Sequence, residues 1–271
     1  MRVLRVDLKR ALFSKQMVYA ILLGMGVVLV GMLFEPIKSG ISIYYSNAAD
    51  LTVESKAMLI GNSFNKVTLW NFGYFFYPLA IPLICCIPFS IEYIRDKKNG
   101  LNKFIIIRSN YREYVWSRII TTFISGFVAI FIISIITLIL INILETGNEF
   151  RSIYYENIFL SDLSSNNFNA FVIVHGIIMS FMGGVYALLG LAISSFVDKP
   201  LIAFISPFFI YYIGNYVMGT LNVIAIDPDI VAGFHKYEDV RGIYILGQLL
   251  FIFTCSLLIF LRNTYWSDVY E

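Results

Sequence analysis

Charged residues are scarce in this chain, and cysteine and histidine are scarcer still. Lys, Arg, Asp and Glu make up 14% of the 271 residues, against about 25% in soluble domains. Cys85, Cys86 and Cys255 lie in apolar stretches, where a thiol acts as a small apolar side chain and neighbouring cysteines rarely pair. The two histidines, His175 and His235, are too few for a metal cluster. We therefore expect no disulfide, metal centre or redox site.

Motifs that would mark an enzyme are also absent. The chain has no Gly-x-x-x-x-Gly-Lys-Ser/Thr loop, so it cannot bind ATP in that manner, and it lacks Gly-x-Ser-x-Gly and His-Glu-x-x-His. His175 could serve an intramembrane serine–histidine protease only with a nucleophile at matching depth in another span, and no residue marks one. We expect an interhelical hydrogen bond at His175, and we predict that the chain is not an enzyme.

Long apolar stretches make up most of the chain. Apolar residues account for 58% of the sequence, and six stretches reach the ~17 residues with which a helix crosses ~30 Å of hydrocarbon. They are residues 17–34, 70–91, 119–144, 170–196, 201–223 and 243–261. This pattern predicts an all-α integral membrane protein with six transmembrane helices in one domain, residues 1–271. The first stretch could be a cleaved signal peptide, but no small-x-small site follows, so we expect a retained span.

The basic residues between the spans lie mostly on one side. With the amino terminus in the cytoplasm, 14 of the 20 lysines and arginines fall on the inner side. Because short cytoplasmic loops carry an excess of these residues, both termini are predicted to be cytoplasmic. Half of the inner basic residues lie in one loop, residues 92–118. We expect a multi-pass protein of the plasma membrane.

The first 16 residues predict an amphipathic helix. One face would carry Leu4, Leu8, Ala11 and Leu12, and another Arg2, Arg5, Lys9 and Gln16. Such a helix can lie along the cytoplasmic interface, with its apolar face at the acyl boundary and its cations near anionic lipid. The alternative is a basic flank that only orients the first span.

Span four has small residues at every third or fourth position. These are Gly176, Ser180, Gly183, Ala187, Gly190 and Ser194. In lipid, helices pack closely where small residues let their backbones approach each other. We predict that this seam packs against another span of the same chain, and a subunit interface is the alternative.

Span five combines a proline with polar side chains. Pro207 should weaken or kink the helix, and Tyr211, Asn215 and Asn222 add polar groups along it. Polar side chains that face acyl chains are costly, so they should point to a pathway, a second subunit or a neighbouring span. Lining of a pathway and ordinary interhelical hydrogen bonding both stay open.

The inner loop of residues 92–118 carries the features of a known family. Glu92 ends the second span, and a basic run, Gly100, a short apolar segment and a basic amphipathic segment follow, which predicts two short helices at the membrane surface. This layout, with six spans, a basic amino-terminal helix and a short link between spans four and five, resembles the permeases of type-2 ABC exporters. The chain has Gly100-Leu101 where many members have Gly-Thr, and Ser109-Asn110 where many have a turn with proline.

The resemblance implies specific partners and residue roles. Such permeases act as pairs of six-span subunits, identical or not, with a separate ATP-binding subunit under each that holds ATP and Mg, so this chain itself would need no cofactor. The segment after span two contacts that subunit, which would place Glu92, Arg95, Asp96 and Gly100 in or beside the coupling helix. Spans one, two and five border the dimer interface and pathway, which would give Tyr211, Asn215 and Asn222 a role. A solvated membrane-surface face is the alternative for the charged residues.

We therefore expect the transmembrane subunit of a bacterial ABC exporter that moves an amphipathic or hydrophobic substrate out of the cytoplasm. The aromatic content of 17% suits a peptide or bacteriocin first, and a lipid-linked glycan or drug second. Its partners would be an ATP-binding cassette subunit, a second permease subunit and the lipid bilayer, with no nucleic acid. The main alternative is a membrane receptor or immunity protein that has no ATPase and binds its ligand through the outer loops. An intramembrane enzyme would rest on His175 alone.

Overall fold

The fold was obtained as a computed structural model, which describes residues 2–46, 52–145, 159–221, 223–237 and 240–267. All regular structure in these ranges is helical, with no strand. The α-helices are α1 (Arg2–Leu12), α2 (Lys15–Met32), α3 (Lys38–Tyr45), α4 (Val53–Ser63), α5 (Lys66–Gly73), α6 (Tyr77–Ile84), α7 (Glu92–Lys98), α8 (Leu101–Arg108), α9 (Tyr111–Leu144), α10 (Ser161–Asn166), α11 (Phe168–Ser194), α12 (Pro200–Thr220), α13 (Asp229–Gly233) and α14 (Gly242–Ser267). The predicted all-α fold class is confirmed.

Within the ranges that the structure describes, five helical segments are long and apolar enough to cross a membrane. They are Lys15–Tyr45, Tyr111–Leu144, Phe168–Ser194, Pro200–Thr220 and Gly242–Tyr265. A sixth span results only if α5 and α6, which are bent by 51° relative to each other, cross together. The predicted second span is therefore not one straight helix. Its break follows Gly73 and precedes Pro78, a residue that cannot donate a backbone hydrogen bond into the preceding turn.

The first span is longer than its apolar stretch. The sequence prediction ended this span at Phe34, but a π-helical turn, Leu33–Ile37, joins α2 to α3 and extends the helix to Tyr45. Pro36 has no N–H to donate to the carbonyl four residues earlier, so the regular α pattern is interrupted there. The wider π turn takes up the interruption without ending the helix.

Helix α11 forms the centre of the bundle. In its apolar segment 72% of the residues are buried, against 17% in α12 and in α14. It packs along α9, with α12 and α14 beside it. The two outer helices therefore keep most of their apolar surface available to lipid or to another subunit.

The small residues of α11 lie where other backbones come close. All six positions of the predicted seam are buried. A Cβ on Gly183 would lie 2.5 Å from Ile130 Cγ1, and a Cβ on Gly190 would lie 2.8 Å from Cys86 Sγ. Ser90 Oγ also donates to the carbonyl oxygen of Ala187 at 3.0 Å. The seam thus packs within this chain, against α9 and against the segment that follows α6.

Candidate functional site

Six charged side chains come together where α1, α7 and the start of α9 meet. We call this region the inner end, after its predicted topology, and the six residues the ionic network. They are Asp7, Arg10, Glu92, Arg95, Asp96 and Arg118. Three acids face three arginines, so the network is neutral when all six are ionised. Asp7, Asp96 and Arg118 are buried, whereas Arg10 and Arg95 are more than a third exposed, so the network runs from the interior to the surface.

Arg118 is the centre of the ionic network. Its side chain is fully buried, two turns into α9, and its Nη2 donates to Asp96 Oδ2 at 2.5 Å. Its Nε lies 3.6 Å from Asp7 Oδ2. The guanidinium carbon is 5.2 Å from the ring centre of Phe89 and 5.0 Å from that of Tyr114. Arg118 therefore lies beside two buried carboxylates, and its planar guanidinium packs against two aromatic rings.

Arg10 joins α1 to α7 through a two-pronged ion pair. Its Nη1 donates to Asp96 Oδ2 at 3.1 Å and its Nη2 donates to Asp96 Oδ1 at 3.2 Å. The same Nη2 lies 3.4 Å from Glu92 Oε2. The hydrogen bonds to the buried Asp96 raise the pKa of Arg10. Because both prongs of the guanidinium are used, the pair fixes orientation as well as distance.

Glu92 ties α7 to the start of the first span. Its Oε1 accepts hydrogen bonds from Gln16 Nε2 at 3.0 Å and from Arg95 Nη1 at 2.6 Å. Gln16 lies in the first turn of α2, which Ser14 caps by accepting from the backbone N–H of Met17 at 3.0 Å. Helices α1, α2, α7 and α9 are thus linked through charged and polar side chains at one end of the bundle.

Asp7 lies on the buried side of α1. It accepts a hydrogen bond from Ser117 Oγ at 2.8 Å. Burial raises the pKa of Asp7 above its ordinary value of 3.8, and this outweighs the opposite effects of Arg118 and Ser117. The folded protein therefore holds this proton more tightly than the unfolded chain does.

This difference predicts a pH dependence of stability. Stability contributed by the Asp7 proton is present below about pH 4 and is lost as the pH rises through the folded pKa. Asp7→Asn removes this dependence, so wild type should lose stability relative to Asp7→Asn as the pH rises above about 4. The measurement is the midpoint of thermal unfolding of both proteins in detergent. A difference in midpoint that stays constant with pH would contradict the prediction.

The structure separates the predicted coupling residues into two groups. Glu92, Arg95 and Asp96 belong to the ionic network, and Asp96 is buried, so it faces the chain's own arginines. Gly100 lies outside the network and joins α7 to α8 with a backbone φ of +69°, a conformation that favours glycine. These are the two short helices that the loop pattern predicted.

Sequence reasoning missed Asp7, Arg10 and Arg118 as members of the site. Two signals were present: Asp7 is the single acid in a basic amino-terminal segment, and Arg118 stands at the start of a long apolar run. Neither signal says which residue is the partner. Ser117 and Asp7 are separated by 110 residues along the chain.

An apolar ridge on α8 points away from the bundle. We call Leu101, Phe104 and Ile107 the α8 ridge, and their exposed fractions are 41%, 65% and 80%. The intervening Ile105 and Ile106 pack inward against the cluster of buried residues around α9. Helix α8 therefore packs against the protein on one side, and its other side is exposed.

The predicted pathway residues of span five lie in different settings. Tyr211 is buried, and its hydroxyl donates to Asp229 Oδ1 at 3.0 Å, while Tyr237 donates to Asp229 Oδ2 at 3.2 Å. Asn215 is half-buried, and Asn222 lies outside the described residues. Tyr211 thus fastens the segment after α12 to that helix. The helix continues through Pro207 without interruption.

His175 holds an interhelical contact at the other end of the bundle. Its Nε2 lies 2.9 Å from the carbonyl oxygen of Ala232, and its ring packs against Trp70 and Phe234 at centroid distances of 5.0 and 5.2 Å. Among the residues that the structure describes, no group of three or more His, Cys, Asp or Glu side chains could hold a metal ion.

Fold and composition together define the class: a multi-pass membrane protein whose described residues form only helices, with five candidate spans, or six if α5 and α6 cross together. Comparison with known proteins finds no matching family model, no matching curated protein and no matching solved structure.

Proposed function

We propose that this chain is the transmembrane subunit of an ATP-driven exporter, with both termini in the cytoplasm of a bacterial cell. The observation that carries the proposal is the α7–α8 segment, which is anchored to three other helices on one side and exposed on the other. On this proposal the α8 ridge, with the exposed Lys97 and Lys98 of α7, docks the ATP-binding subunit. Glu92 and Asp96 would then support the docking segment from inside, while Arg95 stays half-exposed at its edge.

The connection from the docking segment to the membrane supports this role. Asp96 on α7 accepts a hydrogen bond from Arg118 on α9. Helix α9 is unbroken over 34 residues. At about 1.5 Å per residue it is about 50 Å long, which exceeds the membrane thickness. A displacement of α7 would therefore move α9, and α9 would move as a rigid body.

The absence of charge in the middle of the spans supports an external energy source. Helices α11 and α12 contain no Asp, Glu, Lys or Arg, and α9 contains none after Arg118. Ion-coupled carriers and proton relays place such residues at mid-membrane. ATP hydrolysis on a partner subunit fits this pattern better than ion coupling within the chain.

The exposed face of α12 suits a second permease subunit and an amphipathic substrate. Phe209, Tyr212 and Tyr216 are all exposed on this helix. Tyrosine combines an apolar ring with a polar hydroxyl, so the face can meet lipid, protein or a peptide. A peptide or bacteriocin is our first choice of substrate, and a lipid-linked glycan or drug is the second.

Removal of the α8 ridge should release the ATP-binding subunit. Phe104→Ser/Ile107→Ser replaces two exposed apolar side chains, so folding is preserved while contact area with the partner is lost. We expect at least a tenfold drop in the ATP-binding subunit that co-purifies from the native cell in mild detergent, detected by photolabelling with an azido-ATP analogue. Phe196→Ser is the control, because Phe196 is 59% exposed in the link between α11 and α12, on the inner side of the predicted topology, and lies off α8.

The same purification tests the alternative function. If wild-type protein brings down no ATP-labelled subunit, a receptor or immunity protein without an ATPase is favoured. If the ridge variant keeps the subunit at the wild-type level, the docking surface lies elsewhere and the role given to α8 is wrong.

A further inference from the structure

The outward side of α1 is a cationic surface with apolar residues among the cations. Arg5, Lys9 and Phe13 follow one another at intervals of four residues. Phe13 directly follows the end of α1, and its backbone N–H still donates to the carbonyl oxygen of Lys9 at 3.1 Å, so the three side chains form one ridge. Arg5 and Lys9 are exposed, Phe13 is 85% exposed, and the neighbouring Val6 is 58% exposed. This face is opposite to the one that the amphipathic pattern directs toward lipid.

The reversal follows from how α1 packs. Among the side chains of α1 that the structure describes, Asp7 and Ala11 are buried, and they face α9. Of the predicted apolar face, Ala11 is fully covered, and Leu4, Leu8 and Leu12 are half-buried. The helix therefore packs its apolar side against the protein.

The cations of this face are not neutralised by the protein. Arg5 and Lys9, together with Lys15 at the start of α2, form no ion pair with any residue in the described part of the chain. Asp7 is the only acid before Glu35, and Arg118 and Ser117 hold it inside. Because that acid is buried, the charged side chains on the outward face of α1 are all cations.

This face lies next to the start of the first candidate membrane span. Only Phe13 and Ser14 separate the end of α1 from α2, which begins the first membrane span. A surface that joins lysine and arginine to phenylalanine and valine, next to a span, matches the two parts of a phospholipid: an anionic phosphate and an acyl chain.

We propose that this face of α1 binds anionic phospholipid of the adjacent leaflet. Arg5 and Lys9 contact the phosphate groups, and Phe13 and Val6 enter the acyl boundary beside them. The binding depends on the fold of the inner end and not on ATP-driven export, so it holds for a permease and for a receptor alike.

Native mass spectrometry of the full-length protein in mild detergent tests the proposal. The probes are dioleoyl-phosphatidylglycerol, which is anionic, and dioleoyl-phosphatidylcholine, which is zwitterionic. Wild type should bind the anionic lipid in preference, and Arg5→Gln/Lys9→Gln should lower that preference roughly thirty-fold, as expected for two cations near an anionic surface. Added salt should weaken the preference of wild type. Phe13→Ser should lower the affinity for both lipids.

Lys97→Gln/Lys98→Gln is the matched control, since it removes two exposed cations at the same end but off α1. It should keep the wild-type preference. An equal loss in both double variants would show a general effect of inner charge and would overturn the proposal. So would an unchanged preference in Arg5→Gln/Lys9→Gln. Loss of the ATP-binding subunit from that variant, with lipid preference intact, would show that the face docks protein instead.

Discussion

Arg118→Met is expected to lower the free energy of unfolding by about 3–5 kcal/mol, because it removes one partner from a buried ion pair. In this variant Asp96 would still pair with Arg10. Asp7 would retain only the hydrogen bond from Ser117 and a contact of 3.9 Å to Arg10. Methionine fills much of the space between Phe89 and Tyr114 and supplies no charge. The measurement is unfolding in mixed detergent micelles, followed by tryptophan fluorescence.

Two further variants separate charge from packing. Arg118→Lys keeps the positive charge but loses the fork that reaches both carboxylates, so its loss of stability should be intermediate. Arg95→Met is the matched control, since Arg95 pairs with Glu92 but its side chain is 45% exposed. Exposed pairs contribute about 0–1 kcal/mol. Equal losses in Arg118→Met and Arg95→Met would refute the importance given to burial of the network.

Gly126→Ala is expected to lower the free energy of unfolding by about 1–3 kcal/mol through overpacking between α9 and α11. A Cβ at this position would lie 2.6 Å from Ala187 Cβ and 2.8 Å from the carbonyl oxygen of Gly183. A backbone oxygen cannot rotate away as a flexible side chain can, so the two helices must separate. The loss is measured by the same unfolding experiment.

Gly26→Ala provides the control for helix propensity. Gly26 lies inside α2, and a Cβ there would meet nothing within 4 Å. Alanine costs less backbone entropy than glycine in a helix, so this variant should gain about 0.5–1 kcal/mol. If Gly126→Ala were as stable as Gly26→Ala, the close approach of α9 and α11 would be refuted.

The helical fold followed well from the sequence, and the ionic network did not. The seam of α11 could be predicted because its spacing of three and four residues is a local property of one helix. Arg10 and Asp96 are separated by 86 residues, so no local pattern pairs them. The bend between α5 and α6 had a partial signal in Gly73 and Pro78, but an apolar stretch of sufficient length gave no reason to divide it.

The amino-terminal helix shows how tertiary packing overrides a correct local pattern. Amphipathicity predicted a helix in the first 16 residues, and α1 is a helix. The pattern assigned its apolar face to lipid, whereas the structure places Ala11 and Asp7 against α9. The packing of Asp7 and Ala11 against α9 leaves the opposite side of α1, with Arg5 and Lys9, facing outward.

The sequence by itself determined that the chain crosses a membrane several times as helices, because backbone groups in hydrocarbon must form their hydrogen bonds within each segment. That requirement acts along the chain, so the length and composition of each stretch are enough to predict it. Tertiary structure alone decided which charges are buried, which face of α1 is cationic and which side of α8 is open. The buried charge of Arg118 is stabilised by opposite charges beside it, and these come from two other helices, α1 and α7.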